Sequence, residues 1–550
     1  MNYKDKFFVN NVVYQIYPRS FCDSNGDGIG DIPGIISKLD YLADLGVGIL
    51  WLSPVYKSPK MDFGYDISDY YQIDPDYGTL DDMDNLIAEA KKRNIRIVMD
   101  LVVNHTSDEH PWFEKSKDVN SPFHNFYYWK KGKNNNSEPP NNWQSNFGGS
   151  AWEFVPEVGE WYLHIFDKKQ VDLNWHNPDV LMEVERILRF WLDRGIYGFR
   201  CDVINQIWKE SFEDGEKGKR LVVGQEHYIN KDGNHKILEK LHKDVFSHYD
   251  CMTVGETFDV NYENAKRFTN GNELDMCFQF DLMNLDKRKL PCFLKKVNLK
   301  KFKSITFGWQ KELDWNANYF ENHDQRRSIE RFGDDKKYWK ESGKMLAMIL
   351  SSLRGTPFIY NGEEIGMNNL PNLKIDDCLD PVDFWAYDLM GKFHFPKRVK
   401  NKLVSNFARD HARTPMQWDD SKFAGFTSGD KTWMKVNPDY LKVNVKGEKE
   451  DPKSILNFYK KAIALRKENK ALTYGSFAPI ETNKRIMAYY REYEGEKLLV
   501  IVNLSKHKTK MPKDLYSTKG RVLLATNPGT EFGYKKHLRA YEGLIVRIEG

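Results

Sequence analysis

Apolar runs and amphipathic stretches alternate along the first hundred residues. Val12–Ile16, Val47–Leu52 and Ile95–Val103 are short, nearly continuous apolar runs that read as strands. Between them, Ile35–Leu45 and Met83–Ala90 carry apolar residues at helical spacing. Strands alternating with helices predict a parallel sheet, open or closed. The rhythm stops at His105. Residues 106–175 are rich in Asn, Ser, Gly, Pro and Trp without a helical period, too long a stretch for a loop, so a small inserted domain is expected. The alternation resumes with helix Val180–Leu192 and runs to about residue 475. Beyond it, Arg485–Tyr490, Lys497–Val502, Arg521–Ala525 and Leu544–Ile548 alternate without helices and predict an antiparallel β-sandwich. The expected division is 1–105, 106–175, 176–475 and 476–550.

Composition changes this picture little. A chain of 550 residues exceeds the size at which one core stops growing, so several domains are expected. With 82 basic and 79 acidic residues, the net charge of +3 offers no reason to expect nucleic acid or an anionic membrane as partner. The aromatic fraction of 14% matters more, because Trp and Tyr rings stack on the C–H faces of sugars, although most belong to the core. Cys22, Cys201, Cys251, Cys277, Cys292 and Cys378 form no C-x-x-C pair and read as reduced thiols. Met1–Val9 lacks the apolar core of a signal peptide, and no run approaches the ~18 apolar residues of a membrane span. A cytoplasmic monomer or weak homodimer is expected.

Three carboxylates stand at the ends of apolar runs: Asp202 in Tyr197–Asn205, Glu256 in Met252–Thr257 and Asp324 in Tyr319–Gln325. Asp commonly caps the helix that follows a strand, so one alone would carry little. Three together, with Arg200 two residues before the first and His323 directly before the third, point to acid–base and nucleophilic chemistry. Strand geometry lets Arg200 and Asp202 share a face. Separately, Asp23–Asp31 offers oxygen ligands at Asp23, Asn25, Asp27, the Ile29 carbonyl and Asp31, with glycines at 26, 28 and 30 for tight wrapping. This set suits a structural Ca²⁺ better than Mg²⁺. Its twelfth position is Gly34 and not the bidentate Glu of an EF-hand, and a plain Asx turn is the alternative. The Asp100–Ser107 segment ends the third strand with a polar cluster in which His105 is a candidate donor to a hydroxyl, and Asp62 and Tyr65 stand in Asp62–Asp69. Arg413, in His411–Trp418, suits either a buried carboxylate or a substrate hydroxyl.

Together these segments resemble glycoside hydrolase family 13, in its oligo-1,6-glucosidase and α-glucosidase branch. The similarity runs from Tyr14–Ser20 through Pro357–Gly366 to the C-terminal strands. The resemblance implies a (β/α)₈ TIM barrel with a domain inserted after strand 3 and a C-terminal sandwich. It implies Asp202 as nucleophile, Glu256 as general acid/base and Asp324 as transition-state stabiliser. His105, Arg200, His323, Arg413, Asp62 and Tyr65 would grip the non-reducing glucose, with Phe147 and Phe166 lining that pocket. Asp23–Asp31 would be the metal loop and Gln170–Asn174 a further family segment, with no organic cofactor. Arg200 would keep Asp202 ionised, while a less polar setting would raise Glu256. Val203 after the nucleophile goes with α-1,6 bonds in this family. Phe63, Phe258 and Arg326 depart from the family pattern and are expected near the pocket mouth. The alternatives are an α-1,4-glucosidase, a sucrose-active enzyme or sucrose isomerase resembling Phe280–Arg288, and a trehalose-6-phosphate hydrolase whose phosphate Arg326 and Arg327 would meet.

Overall fold

The computed structural model describes residues 6–220, 222–288, 292–533 and 535–549. Eight strands form one parallel sheet: β1 (Val13–Ile16), β2 (Ile49–Leu52), β3 (Arg96–Leu101), β4 (Gly198–Cys201), β5 (Met252–Glu256), β6 (Met276–Phe278), β7 (Ala317–Asn318) and β8 (Thr356–Tyr360). Their order is β6-β5-β4-β3-β2-β1-β8-β7. The two edges approach just past their last residues, where the Tyr319 hydroxyl donates to the Gln279 carbonyl at 2.8 Å. Each strand is followed by helix, from Ile32–Ser37 with Leu39–Leu45 after β1 to Ile455–Glu468 after β8. This is a nearly closed (β/α)₈ barrel.

Every residue of β1, β2, β4 and β8 is buried, which is why these strands are mostly apolar, with Gln15, Arg200 and Thr356 as the polar exceptions. Helix Leu80–Lys92 starts at a capping box between Thr79 and Asp82 and turns Met83, Leu86 and Ala90 inward. The helix expected over Ile35–Leu45 is two helices broken at Lys38.

Between β3 and helix Pro178–Asp193 the chain builds a three-stranded antiparallel sheet from Trp129–Lys130, Trp152–Val155 and Glu160–Leu163. A ribbon pairs His105–Ser107 with Gln170–Asp172. Tyr128, Trp143 and Trp152 supply a separate aromatic core there, shared with Tyr228 and Ile229 from beyond β4.

The last strands are β9 (Ser476–Ile480), β10 (Ile486–Tyr493), β11 (Glu496–Asn503), β12 (Gly520–Ala525) and β13 (Gly543–Ile548), antiparallel in the order β9-β10-β11-β13-β12. Along β11, Leu498, Val500 and Val502 face the main core, while Leu499 and Ile501 meet Met511, Leu515 and Leu538. The second layer of the expected sandwich is therefore a two-stranded ribbon, Thr509–Lys510 with His537–Leu538, and a short helix. Among the described residues no helix is long and apolar enough to cross a membrane, and all six cysteines are free.

Candidate active site

The chemistry gathers at the C-terminal ends of the barrel strands. Arg200 pairs in register with Asp100 of β3 on one side and Val254 of β5 on the other. Its NH1 bonds Asp100 at 2.7 Å and Asp202 at 2.5 Å, and its NH2 reaches Glu256 at 2.7 Å. One guanidinium thus serves three carboxylates. Burial pushes Asp202 well above the usual carboxylate range, Arg200 pulls it down, and Glu256 and Asp100 push it up again. Burial likewise raises Asp100 to about 6. A single positive charge does not balance three adjacent negative ones, which favours a proton held within the cluster.

Asp324 sits in the opposite setting. Arg413 and Arg409 contact its Oδ1 at 2.9 and 3.1 Å, and His323 lies 3.3 Å from Oδ2. Burial opposes the charge, but the two guanidiniums outweigh it and hold the carboxyl far below its ordinary value. Burial lowers His323 to about 3, so the ring is neutral. The Gln15 amide donates to its Nδ1 at 2.9 Å, which leaves Nε2–H to donate to the Tyr65 hydroxyl at 2.8 Å. Tyr65 in turn donates to Asp100. Burial raises Asp62 to about 7 against the pull of Arg409 and lowers His105 to about 4. The Gln170 amide lies between the two, donating to Asp62 at 3.1 Å and 3.0 Å from the His105 Nε2, which itself donates to the Tyr65 carbonyl.

These groups open on a cavity of about 200 Å³. Asp202, Glu256, Asp324, Asp62, Tyr65, His105, Phe147, Phe166 and Val203 line it as expected. Arg200, His323 and Arg413 stand behind that lining and hold its acids. Val203 has φ 35° and ψ 37°, left-handed for a β-branched residue, and its N–H donates to Glu256 at 3.2 Å.

Of the three departures from the family pattern, Phe258 lines the cavity with its ring 6.0 Å from that of Phe280. Phe63 is instead behind it, under Arg413 and beside Trp433. Arg326 is held by Asp286 at 2.9 Å and Glu330 at 3.3 Å. Arg327 is wholly buried against Glu321 and the carbonyls of Asn361 and Ala412. Neither is presented to a phosphate.

Sequence reasoning missed Arg409, which lines the cavity and reaches Asp324, Asp62 and Asp380. It also missed Asp380, which caps helix Pro381–Lys392 while binding both Arg409 and Arg413. Two arginines four residues apart after an Asp-Pro helix start were the available signal.

In the Asp23–Asp31 loop, Asp23 Oδ1 accepts from the N–H groups of Asn25 and Gly26, and Oδ2 accepts from Gly28 and the Thr427 hydroxyl. Asp31 caps helix Ile32–Ser37. Gly28 lies so close to Lys431 that a Cβ would meet its carbonyl at 2.7 Å. The donors are all oxygen, the type a hard cation takes. However, Asp23, Asp27 and Asp31 do not bring three carboxylate oxygens within 4.8 Å of one another.

Residues 15–475 match the family model of the alpha-amylase catalytic domain, and residues 486–545 match that of the alpha-amylase SusG C-terminal domain. The chain belongs to the α-amylase family, glycoside hydrolase family 13. It is 49% identical to the oligo-1,6-glucosidase of Parageobacillus thermoglucosidasius, over 90% of each chain. It is 45% identical to the oligo-1,6-glucosidase of Bacillus cereus, over 99% of this chain and 100% of that one. Among solved structures, the trehalose-6-phosphate hydrolase of Bacillus licheniformis superposes with a TM-score of 0.93 at 40% identity, covering 99% and 100% of the two chains.

Proposed function

We propose that this glycoside hydrolase is a retaining, exo-acting α-glucosidase that releases glucose from α-1,6 bonds at the non-reducing end of short oligosaccharides. The observation that carries the reading is the placement of Asp202 and Glu256 on one guanidinium, at the floor of the cavity. That placement suits the ~5–5.5 Å separation of a retaining pair better than the ~6.5–9.5 Å of an inverting one. The cavity of about 200 Å³ is below the ~300 Å³ at which drug-sized sites begin, in keeping with a single glucosyl unit.

In this mechanism Asp202 attacks the anomeric carbon as Glu256 passes the cluster's proton to the leaving oxygen. Glu256 then deprotonates the water that hydrolyses the glycosyl-enzyme, and the α configuration is retained. Asp324, kept ionised by Arg409 and Arg413, accepts hydrogen bonds from sugar hydroxyls that tighten as the ring flattens. Asp62, His105 and Gln170 bind the remaining hydroxyls, with Phe147 and Phe166 against the ring.

Relatives named oligo-1,6-glucosidase and the position of Val203 support the α-1,6 linkage. A phosphorylated substrate is disfavoured because Arg326 and Arg327 are already bonded to carboxylates. The same reading takes 1–105 and 176–475 as the barrel, 106–175 as the inserted domain and 476–550 as the C-terminal domain. It also assigns a structural Ca²⁺ to Asp23, Asn25, Asp27, the Ile29 carbonyl and Asp31, where it would screen the carboxylates from one another. The test is hydrolysis of isomaltose, maltose, sucrose and trehalose 6-phosphate, with the anomer of released glucose followed by proton NMR. Isomaltose preferred, with α-glucose appearing first, is the expected result. Preference for another substrate overturns the linkage, and β-glucose overturns retention.

A further inference from the structure

Trp385 is an exposed aromatic that the catalytic reading leaves without a role. It lies on helix Pro381–Lys392, whose cap Asp380 is bonded to the same two arginines that hold Asp324. The helix is therefore fixed relative to the acids. The indole packs on Gly148, so closely that a Cβ there would fall 2.0 Å from its Cε2. Gly148 directly follows Phe147, which lines the cavity and has the Arg409 guanidinium over its ring at 5.6 Å. One Cα step, ~3.8 Å, separates the cavity wall from the residue on which the indole rests. Yet Trp385 remains 43% exposed, and its side chain is not among those lining the cavity. The exposed part of such an indole is an apolar ring surface, the kind that suits a sugar's C–H face.

Resting on the α-glucosidase reading above, we infer that Trp385 is a specificity-determining residue, a platform for the glucosyl units beyond the first leaving-group sugar. Val203, Phe258 and Phe280 line the cavity where that first sugar would sit; Trp385 is outside the lining, exposed, and one residue from it at Phe147. The enzyme would then favour tri- and tetrasaccharides over disaccharides. Phe384, on the same helix and 44% exposed, is a matched control, because adjacent helical residues point ~100° apart.

The test compares kcat/KM for isomaltotetraose and isomaltose in the wild type and in Trp385→Ala, Trp385→Phe and Phe384→Ala. In Trp385→Ala the tetraose-to-disaccharide ratio is expected to fall about tenfold, carried by KM. Trp385→Phe recovers most of it, and Phe384→Ala leaves the ratio unchanged. An equal loss on both substrates, or a loss in kcat alone, reduces Trp385 to a support for Phe147 and overturns the inference; so does an unmoved ratio. If the wild type prefers maltose, the linkage reading fails by itself, and the same ratio read on maltotetraose and maltose still decides the role of Trp385.

Discussion

Replacing Arg200 with lysine isolates what the shared guanidinium does. Arg200 makes charge-assisted contacts with Asp100, Asp202 and Glu256, from two nitrogens of a rigid fork. A lysine ammonium keeps the charge but cannot hold Asp202 and Glu256 from two fixed points. At least one contact to the Asp202–Glu256 pair is lost, at about 1.5–3 kcal/mol for a hydrogen bond to a charged group. One pKa unit corresponds to 1.36 kcal/mol, so the group deprotonated for attack rises by about 1–2 units. The sign follows from the roles: Asp202 must be ionised to attack, Arg200 lowers its pKa, and weakening that pull raises it. The acid limb of kcat/KM against pH should therefore move to higher pH in Arg200→Lys. Below the limb kcat/KM should fall about 10- to 100-fold, with a smaller loss above it. The assay is kcat/KM on p-nitrophenyl α-glucoside between pH 4 and 9, with circular dichroism to establish folding. A limb that stays in place, or moves to lower pH, would refute the claim that Arg200 holds the charge of Asp202.

Glu256→Gln should fold and lose about 10²–10⁴-fold in kcat/KM on isomaltose, yet lose far less in kcat/KM on p-nitrophenyl α-glucoside, whose leaving group needs no proton; equal losses on both would remove its role as acid. Val203→Ala should raise kcat/KM for maltose relative to isomaltose by about tenfold or more, the worth of one or two methyl groups in a pocket. An unmoved ratio would pass the selectivity to Phe258 and Phe280. Lys209→Met should cost about 3–5 kcal/mol in urea denaturation, because Lys209 pairs with Asp172 at 2.6 Å where both are fully buried. A cost below ~1 kcal/mol would mean that this buried pair contributes little to stability. Chelation should lower the melting temperature and Asp27→Ala should remove that effect; an indifferent protein without bound calcium by elemental analysis would leave the loop an Asx turn.

Much of the barrel was legible because its strands are buried on both faces and so stand out as apolar runs. Strands β6 and β7, of three and two residues, are too short to carry a pattern, and β9 is mostly exposed and contains Pro479. The three acids were legible for the same reason as the strands they end. Their electrostatics were not. That Arg200 is shared among three carboxylates depends on the β3–β4–β5 register, which places Asp100 beside Arg200. Arg409 and Asp380 lie in the excursion after β8, where no period marks a face, and meet Asp324 and Asp62 only through contacts across long sequence separations.

The left-handed backbone of Val203 bears on how such an enzyme diverges. A β-branched residue held there costs about 1–3 kcal/mol, which the rest of the fold supplies. Changes to glycine or asparagine at this position relieve that strain as they reshape the mouth of the cavity. Most steps toward a new activity erode a protein's stability reserve. If Val203 sets linkage choice as proposed above, a step to glycine or asparagine would replenish it, so drift at position 203 would run downhill and only selection on the substrate would keep valine.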